Sequence, residues 1–323
     1  MTKLLVVGDV HLSKTAPGRR TDTYMEDILR KLDRTVEIAK EQKVDGVLWL
    51  GDVYHNPRAH QVPHELTKQT SARARAYGVP LYVVPGNHDI HAGNLDAAYV
   101  SQPIALLDEL PNVTLLRWEP VQVGNIVIHP VPGVPHIPIE DYVARLSPNG
   151  FDEGLFHLAA VHQSVARDGK DSLPFSHVGA DELAENLPWL DLVAYGHLHE
   201  SFGWYEVDGL SFVNFGSLCR GTIGESDLKK KPQVFILEVD ADGKADFELF
   251  DLPYRPAEEV FKLEEFLSEK ARKKDMEDYV AHIERVSVQS FSLDTIIASL
   301  NTTETISEPV RDYAIDCLNQ VRA

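Results

Sequence analysis

Cysteine is scarce. The chain of 323 residues has two, Cys219 and Cys317, far apart and in no motif. That excludes a disulfide-stapled scaffold and fits a reducing, cytoplasmic compartment. Long apolar runs are missing too, so no membrane span is expected. The short apolar start, Met1 to Val10, lacks a basic flank and a small-residue cleavage site, and reads as a strand rather than a signal peptide. Positive charge is also in deficit: 31 Lys and Arg stand against 50 Asp and Glu, for a net charge of -19. A field of that sign gives no help in holding a phosphate backbone. Two things can soften it, namely cations bound by the carboxylates and a local basic patch. Arg19-Arg20 and Lys229-Lys230-Lys231 are the candidates for such a patch, or else plain solvated loops. No internal repeat or low-complexity segment occurs.

What is present is an ordinary globular composition, 43% hydrophobic, in a chain long enough for one large domain and an appendage or for two domains. Three short apolar runs punctuate the first ninety or so residues: Leu4 to Val7, Val47 to Leu50 and Leu81 to Val84. Between them, Asp22 to Gln42 and His64 to Tyr77 have helical character; in the first, Ile28, Leu29, Leu32, Val36 and Ile38-Ala39 share a face. Buried strands alternating with helices predict an α/β fold. Further strands are predicted over Ile126–His129, His157–Val161, Leu192–Tyr195, Phe202–Glu206, Ser211–Phe215, Val234–Val239 and Asp246–Leu252, with Asp242-Gly243 as a hairpin turn. Their crowding favours a mixed β-sandwich flanked by helices over a single parallel sheet.

A boundary is expected at Leu252 to Pro256, dividing a core, 1–253, from a helical region, 254–323. Glu258 to about Arg285 and Leu293 to Leu300 are the helical candidates there. Ser307-Glu308-Pro309 then signals a helix start, with Val310, Tyr313-Ala314, Cys317 and Val321 on one face. This appendage either packs back on the core or awaits a partner.

The chemistry gathers in five short clusters, most directly after an apolar run: Gly8-Asp9-Val10-His11, Gly51-Asp52, Gly86-Asn87-His88-Asp89, Val161-His162 and Gly196-His197-Leu198-His199. Any one could be a turn or a hydrogen-bonded loop residue. Together they offer two carboxylates, four imidazoles and one amide oxygen, enough for two metal ions with positions left for water and substrate. If Asp9 with His11 and His197 with His199 continued the strands, each pair would face one side. Asp52, with two oxygens, can bridge two cations.

The ordered set GDVH, GD, GNHD, H and GHLH resembles the calcineurin-like metallophosphoesterases over about residues 1–250. The resemblance implies their four-layer fold, a mixed β-sandwich with helices outside. It implies a first metal on Asp9, His11, Asp52 and His199, and a second on Asp52, Asn87, His162 and His197. The ions are expected to be Mn²⁺, with Fe²⁺ or Zn²⁺ also suited to the donors. His88 takes the role of acid or phosphoryl stabiliser, and Asp89 that of orienting its ring. The stretch Gly51-Asp52-Val53-Tyr54-His55-Asn56-Pro57 is similar to the nuclease subunit of the bacterial SbcCD complex and its repair-nuclease counterparts, which makes His55 a second catalytic histidine. That likeness implies DNA as substrate, cut as a single-strand endonuclease and 3′-to-5′ exonuclease. It also implies a coiled-coil ATPase docked on the C-terminal helices, with a homodimer as a further option. Hydrolysis of small phosphodiesters or nucleotides is the alternative that the acidic charge favours, and a non-enzymatic scaffold is a third. Arg220 stands as a phosphate contact or a structural loop residue. Among the remaining histidines, His60, His64, His91, His129, His136, His157, His177 and His282, His91 and His129 are placed to line a substrate groove.

Overall fold

Alternation along the first strand decides the architecture. In the computed structural model, Leu4 and Val6 of β1 (Thr2–Val7) join one buried cluster while Leu5 and Val7 join another. A strand apolar on both faces belongs inside a layered fold. The structure describes all residues except 22, 57, 136, 147–153, 169–172, 288–292, 304 and 323; the expected helix start at Asp22, Pro57 of the His55 stretch and His136 lie outside the described residues.

The chain continues through α1 (Tyr24–Gln42), β2 (Gly46–Trp49), α2 (His64–Ala76) and β3 (Leu81–Val83). Short helices α3 (Leu95–Val100) and α4 (Ala105–Asp108) lead to β4 (Val113–Leu115) and to the hairpin of β5 (Val121–Val123) with β6 (Ile126–Val131). Next come α5 (Ile139–Leu146), β7 (Phe156–Val161), the two-residue strands β8 (Val165–Ala166) and β9 (Val178–Gly179), and α6 (Ala180–Asn186). Then follow β10 (Leu192–Tyr195), β11 (Gly203–Val207), β12 (Leu210–Asn214), α7 (Glu225–Lys229), β13 (Gln233–Val239), β14 (Ala245–Asp251) and α8 (Ala257–Val260).

Two mixed six-stranded sheets result. One has the order β14-β13-β1-β2-β3-β4, with β1 to β4 parallel; the other has the order β11-β12-β10-β7-β6-β5, with its four inner strands parallel. Their facing sides share one cluster that includes Leu4, Leu48 and Leu237 from the first sheet and Ile128, Leu158 and Ala194 from the second. On the outer side of the first sheet, Leu5, Val47 and Trp49 meet Ile28, Leu32 and Val36 of α1. On the outer side of the second, Ala159, Val193 and Phe212 meet Tyr142 of α5 and Leu183 of α6. The order helix, sheet, sheet, helix is the predicted four-layer arrangement. The Asp242-Gly243 turn forms as expected: Asp240 Oδ1 accepts from the N–H of Asp242 and of Lys244, and Gly243 sits at φ 79°.

The chain divides into two compact units, Met1–Phe261 and Lys262–Ala323. The division falls somewhat beyond Pro256 because α8 and Phe261 are tied to the first unit. Thr21 donates its N–H to the Val260 carbonyl and its hydroxyl to the Glu259 carbonyl, both at 2.8 Å, and the Arg20 guanidinium lies over the Phe261 ring. The run expected from Glu258 to Arg285 is therefore interrupted at Phe261, which is extended. The second unit holds α9 (Leu263–Ser287), α10 (Leu293–Thr302) and α11 (Glu308–Arg322) around Tyr279, Leu300 and Ala314. Among the described residues, no helix is long and apolar enough to cross a membrane.

Trp49 is fully buried, with its indole N–H directed at the Tyr77 hydroxyl. Trp49→Ala should cost about 3–5 kcal/mol, from lost burial and the cavity left behind. Urea denaturation measures it, and a loss under about 1 kcal/mol would contradict this packing.

Candidate metal centre

All five clusters follow the C-terminal ends of strands. Asp9 and His11 follow β1, Asp52 follows β2, and Asn87, His88 and Asp89 follow β3 in the first sheet; His162 follows β7, and His197 and His199 follow β10 in the second. These strands run parallel within their sheets, so their carboxyl ends bring the loops to one edge of the sandwich. The strands end in order: Leu50 N–H donates to the Val7 carbonyl, Val84 N–H to that of Trp49, and Gly196 N–H to that of Val161.

The pairing of donor residues does not come from strand alternation, as the spacing suggested. His11, Asp52 and His197 have φ of 51°, 47° and 71°, so the backbone turns left-handed at each. Such conformations cost about 1–3 kcal/mol apiece for residues with a Cβ. Cross-loop bonds hold them: His11 N–H donates to the Asp52 carbonyl at 2.7 Å, and Leu12 N–H to that of Val53 at 2.9 Å. His197 N–H reaches both Asp9 oxygens, at 3.2 and 3.0 Å. Close approach also explains two glycines. A Cβ on Gly86 would fall 2.1 Å from Asp52 Oδ1, and one on Gly51 would fall 2.3 Å from His162 Nδ1.

Asp52 sits at the middle. It is buried, with Oδ2 3.3 Å from His11 Nε2 and Oδ1 3.3 Å from His162 Nε2. Oδ1 also accepts the His88 N–H at 2.8 Å, whereas Oδ2 is buried without a hydrogen-bond partner. Around Oδ2, ligand atoms of Asp9, His11, Asp52 and His199 all lie within 4.8 Å of one another; those of Asp52, His162 and His197 do the same on the other side. Asn87 Oδ1 stands 3.1 Å from His162 Nε2 and 2.8 Å from His197 Nδ1. Two imidazole nitrogens 2.7 Å apart, His11 Nε2 and His199 Nε2, point at each other. Nitrogen and oxygen donors aimed inward from separate loops are what a pair of divalent cations requires, so the residues fit such ions.

Protonation agrees with that reading. Burial pulls His197 and His199 down to about 4, helped at His197 by His162 and at His199 by Lys230, which keeps both imidazoles neutral as ligands must be. Burial likewise takes His11 well below its ordinary value. His162 differs: burial alone would lower it, but Asp52 and Asp9 hold it well above. Its Nδ1 side is fixed by the Leu50 carbonyl, leaving Nε2 for the centre. Asp52 is held well below the carboxylate range, because His162 and His11 outweigh the effect of burial. Burial, with Asp52 nearby, pushes Asp9 up to about 6 and Asp89 up to about 7. Two close carboxylates thus call for compensating positive charge, from a proton on His162 or from cations.

The structure brings His55 and His88 together beside this centre, their rings stacked at 5.4 Å, with His11 at 4.9 Å from His88. Asp89 does not orient His88. Its carboxylate accepts from the N–H groups of Val53, Tyr54 and Gly86 and braces the two loops, while the His88 ring is set by its Nδ1 against the His55 carbonyl at 2.7 Å. The basic runs divide likewise. Arg20 is buried, donating to the Arg220 carbonyl and paired with Asp27. Lys230 is buried on Ser217, Cys219 and Asp227, while Lys229 and Lys231 are exposed. Arg220 is structural, donating to the carbonyls of Asp227, Leu228 and Arg255. His129 lines no groove: it is buried, 3.0 Å from His157, against Trp189. His91 is exposed. Cys219, in no sequence motif, lies beside His11 and His199.

This chain belongs to the calcineurin-like phosphoesterases, whose family model matches residues 2–201. Within that class it is similar to the DNA double-strand break repair protein Mre11 of Methanosarcina acetivorans, 25% identical over 199 residues, 59% of this chain and 30% of that protein. The Haloferax volcanii protein of the same name is 27% identical over 70% of this chain and 48% of its own length. The D component of the SbcCD nuclease of Bacillus subtilis is 27% identical over 38% of this chain and 29% of its own length. The chain thus spans less than half the length of each of these relatives. A crystal structure of TT1561 of Thermus thermophilus matches the fold with a TM-score of 0.50 at 12% identity, over 78% of this chain and 99% of that one.

An imidazole at about 4 in the folded protein and 6.5 in the unfolded one is protonated first in the unfolded chain. The stability contributed by neutral His197 and His199 is therefore complete above pH 6.5 and lost as the pH falls toward 4. Ring-nitrogen NMR of the metal-free protein should give both midpoints near 4; midpoints near 6.5 would mean that the rings are solvated.

Proposed function

We propose that this chain is a two-metal phosphodiesterase acting on DNA. The observation that carries the hydrolytic part is Asp52, one oxygen turned to the His11 group and the other to the His162 group. Asp9, His11, Asp52 and His199 would hold one cation, and Asp52, Asn87, His162 and His197 the other. Manganese is the proposed ion. Bound there, divalent ions neutralise charge on the phosphoryl oxygens and bring the pKa of water toward neutrality.

The protein's own groups do the rest. The His88 N–H fixes Asp52 Oδ1, so the acid-donating loop and the shared carboxylate move as one piece. With Nδ1 of His88 engaged by the His55 carbonyl, Nε2 is the atom that takes up a proton and delivers it to the departing oxygen. His55, stacked on that ring and half-buried, limits its rotation and its access to water.

The step to DNA is supported by the similarity to Mre11 proteins and to the D component of SbcCD. The same similarity supports a coiled-coil ATPase as partner, docked on α9 to α11, and a homodimer as the assembly to look for. The net charge of -19 favours a second reading, hydrolysis of small phosphodiesters or nucleotides.

Calorimetric titration with Mn²⁺ should find two ions per chain in the wild type, one in His162→Ala and none bound tightly in Asp52→Asn. With saturating Mn²⁺, single-stranded DNA should be cleaved, and His88→Ala should lower kcat by about 10²- to 10⁴-fold without changing the ion count. Turnover of cyclic nucleotides with none of DNA would replace the nuclease reading by the second one. Full activity in Asp52→Asn would defeat both. Removal of Lys262–Ala323 should abolish capture of the ATPase while leaving Mn²⁺ binding in place.

A further inference from the structure

Cys219 places a sulfur where the donor set of oxygens and imidazoles has no call for one. Its Sγ and one ring nitrogen each of His11 and His199 lie within 4.8 Å of one another. The segment that carries it is fastened to the centre on both sides. Ser217 N–H donates to the His199 carbonyl at 3.2 Å, and Leu218 N–H to the Asp9 carbonyl at 2.8 Å. The thiol is therefore held by the same bonds that position two ligands, with 3% of the residue exposed.

Buried charges surround the segment. Arg20, Lys31, Arg220 and Lys230 are all buried in this region, against the carboxylates of Asp27 and Asp227. Lys31 Nζ donates to the Leu218 carbonyl at 2.8 Å, and Lys230 Nζ to the Cys219 carbonyl at 3.2 Å. Burial raises the Cys219 thiol, so a thiophilic ion must displace its proton on binding. His11, one of the three residues, also has its Nδ1 buried without a hydrogen-bond partner.

We propose that His11, His199 and Cys219 form a thiophilic metal position, alternative to the oxygen-rich one that the two histidines share with Asp9 and Asp52. Two imidazoles and a thiolate suit Zn²⁺ and leave a fourth coordination place open. Soft sulfur discriminates against Mn²⁺, which prefers oxygen. Both positions draw on the same two rings, so only one can be filled at a time. Zinc in the sulfur position removes His11 and His199 from the hydrolytic centre and inhibits, whereas manganese activates. The inference rests on reading His11 and His199 as metal ligands.

The test uses the full chain with Cys317→Ala, which leaves Cys219 as the sole thiol, and Co²⁺ alone as the probe. A near-ultraviolet thiolate-to-cobalt charge-transfer band is expected on titration. Adding Cys219→Ser should abolish the band and weaken Zn²⁺ by at least about tenfold. Mn²⁺ affinity should stay within about twofold, which also shows that the variant is folded. Binding of Co²⁺ and Mn²⁺ without the band, or a band that survives Cys219→Ser, overturns the sulfur position and leaves the two-metal reading standing. Failure of the unsubstituted protein to bind any of these ions defeats both.

Discussion

A buried carboxylate between two imidazoles is the interaction on which the centre depends. Asp52 has no access to water, and its two oxygens face rings delivered by different sheets: His11 after β1 and His162 after β7. An isolated charge in that position would be costly. Two neighbouring imidazoles, a backbone N–H and, when present, cations make it tenable. Its position in turn requires the left-handed turn at its own backbone, with Gly86 packed against it and Gly51 against its neighbour His162. Local strain, glycine placement and ligand geometry are thus one constraint seen at three scales.

The same economy of space governs the layers. β1 and β2 are apolar on both faces because each serves two cores, one between the sheets and one under the helices. That leaves polar chemistry only at the strand ends. Five strands end at the same edge, and each contributes one loop to the centre. Binding energy for a phosphate ester is therefore concentrated at one edge of the sandwich, at the convergence of loops that are individually ordinary.

Much of this was legible in the sequence, for identifiable reasons. Leu4 to Val7, Val47 to Leu50 and Leu81 to Val84 read as buried strands because their apolar runs are too short for helices. The donor residues stood out because each follows such a run. The turn at Asp242-Gly243 was marked by its own chemistry. What stayed hidden depends on backbone sign or on distant partners. Nothing in Asp9-Val10-His11 announces a left-handed His11, and a strand-like alternation is the simpler expectation. Asp89 looks like a partner for the adjacent His88, yet its acceptors are spent on N–H groups of two loops. Arg20, Arg220 and Lys230 resemble surface cations until the carbonyls and carboxylates that bury them are known. Cys219 is more than two hundred residues from His11, and only the fold puts sulfur beside imidazole.

The division of donors between the sheets has a mechanical side. Asp9, His11, Asp52 and Asn87 hang from the first sheet, and His162, His197 and His199 from the second. Cations shared among them would act as rivets through one edge of the sandwich. An ion that binds only the folded arrangement also stabilises it by mass action. With ions bound there, the resistance of this unit to unfolding would be a property of the surrounding solution as much as of its sequence: the sheets would grip each other more firmly wherever divalent ions are plentiful.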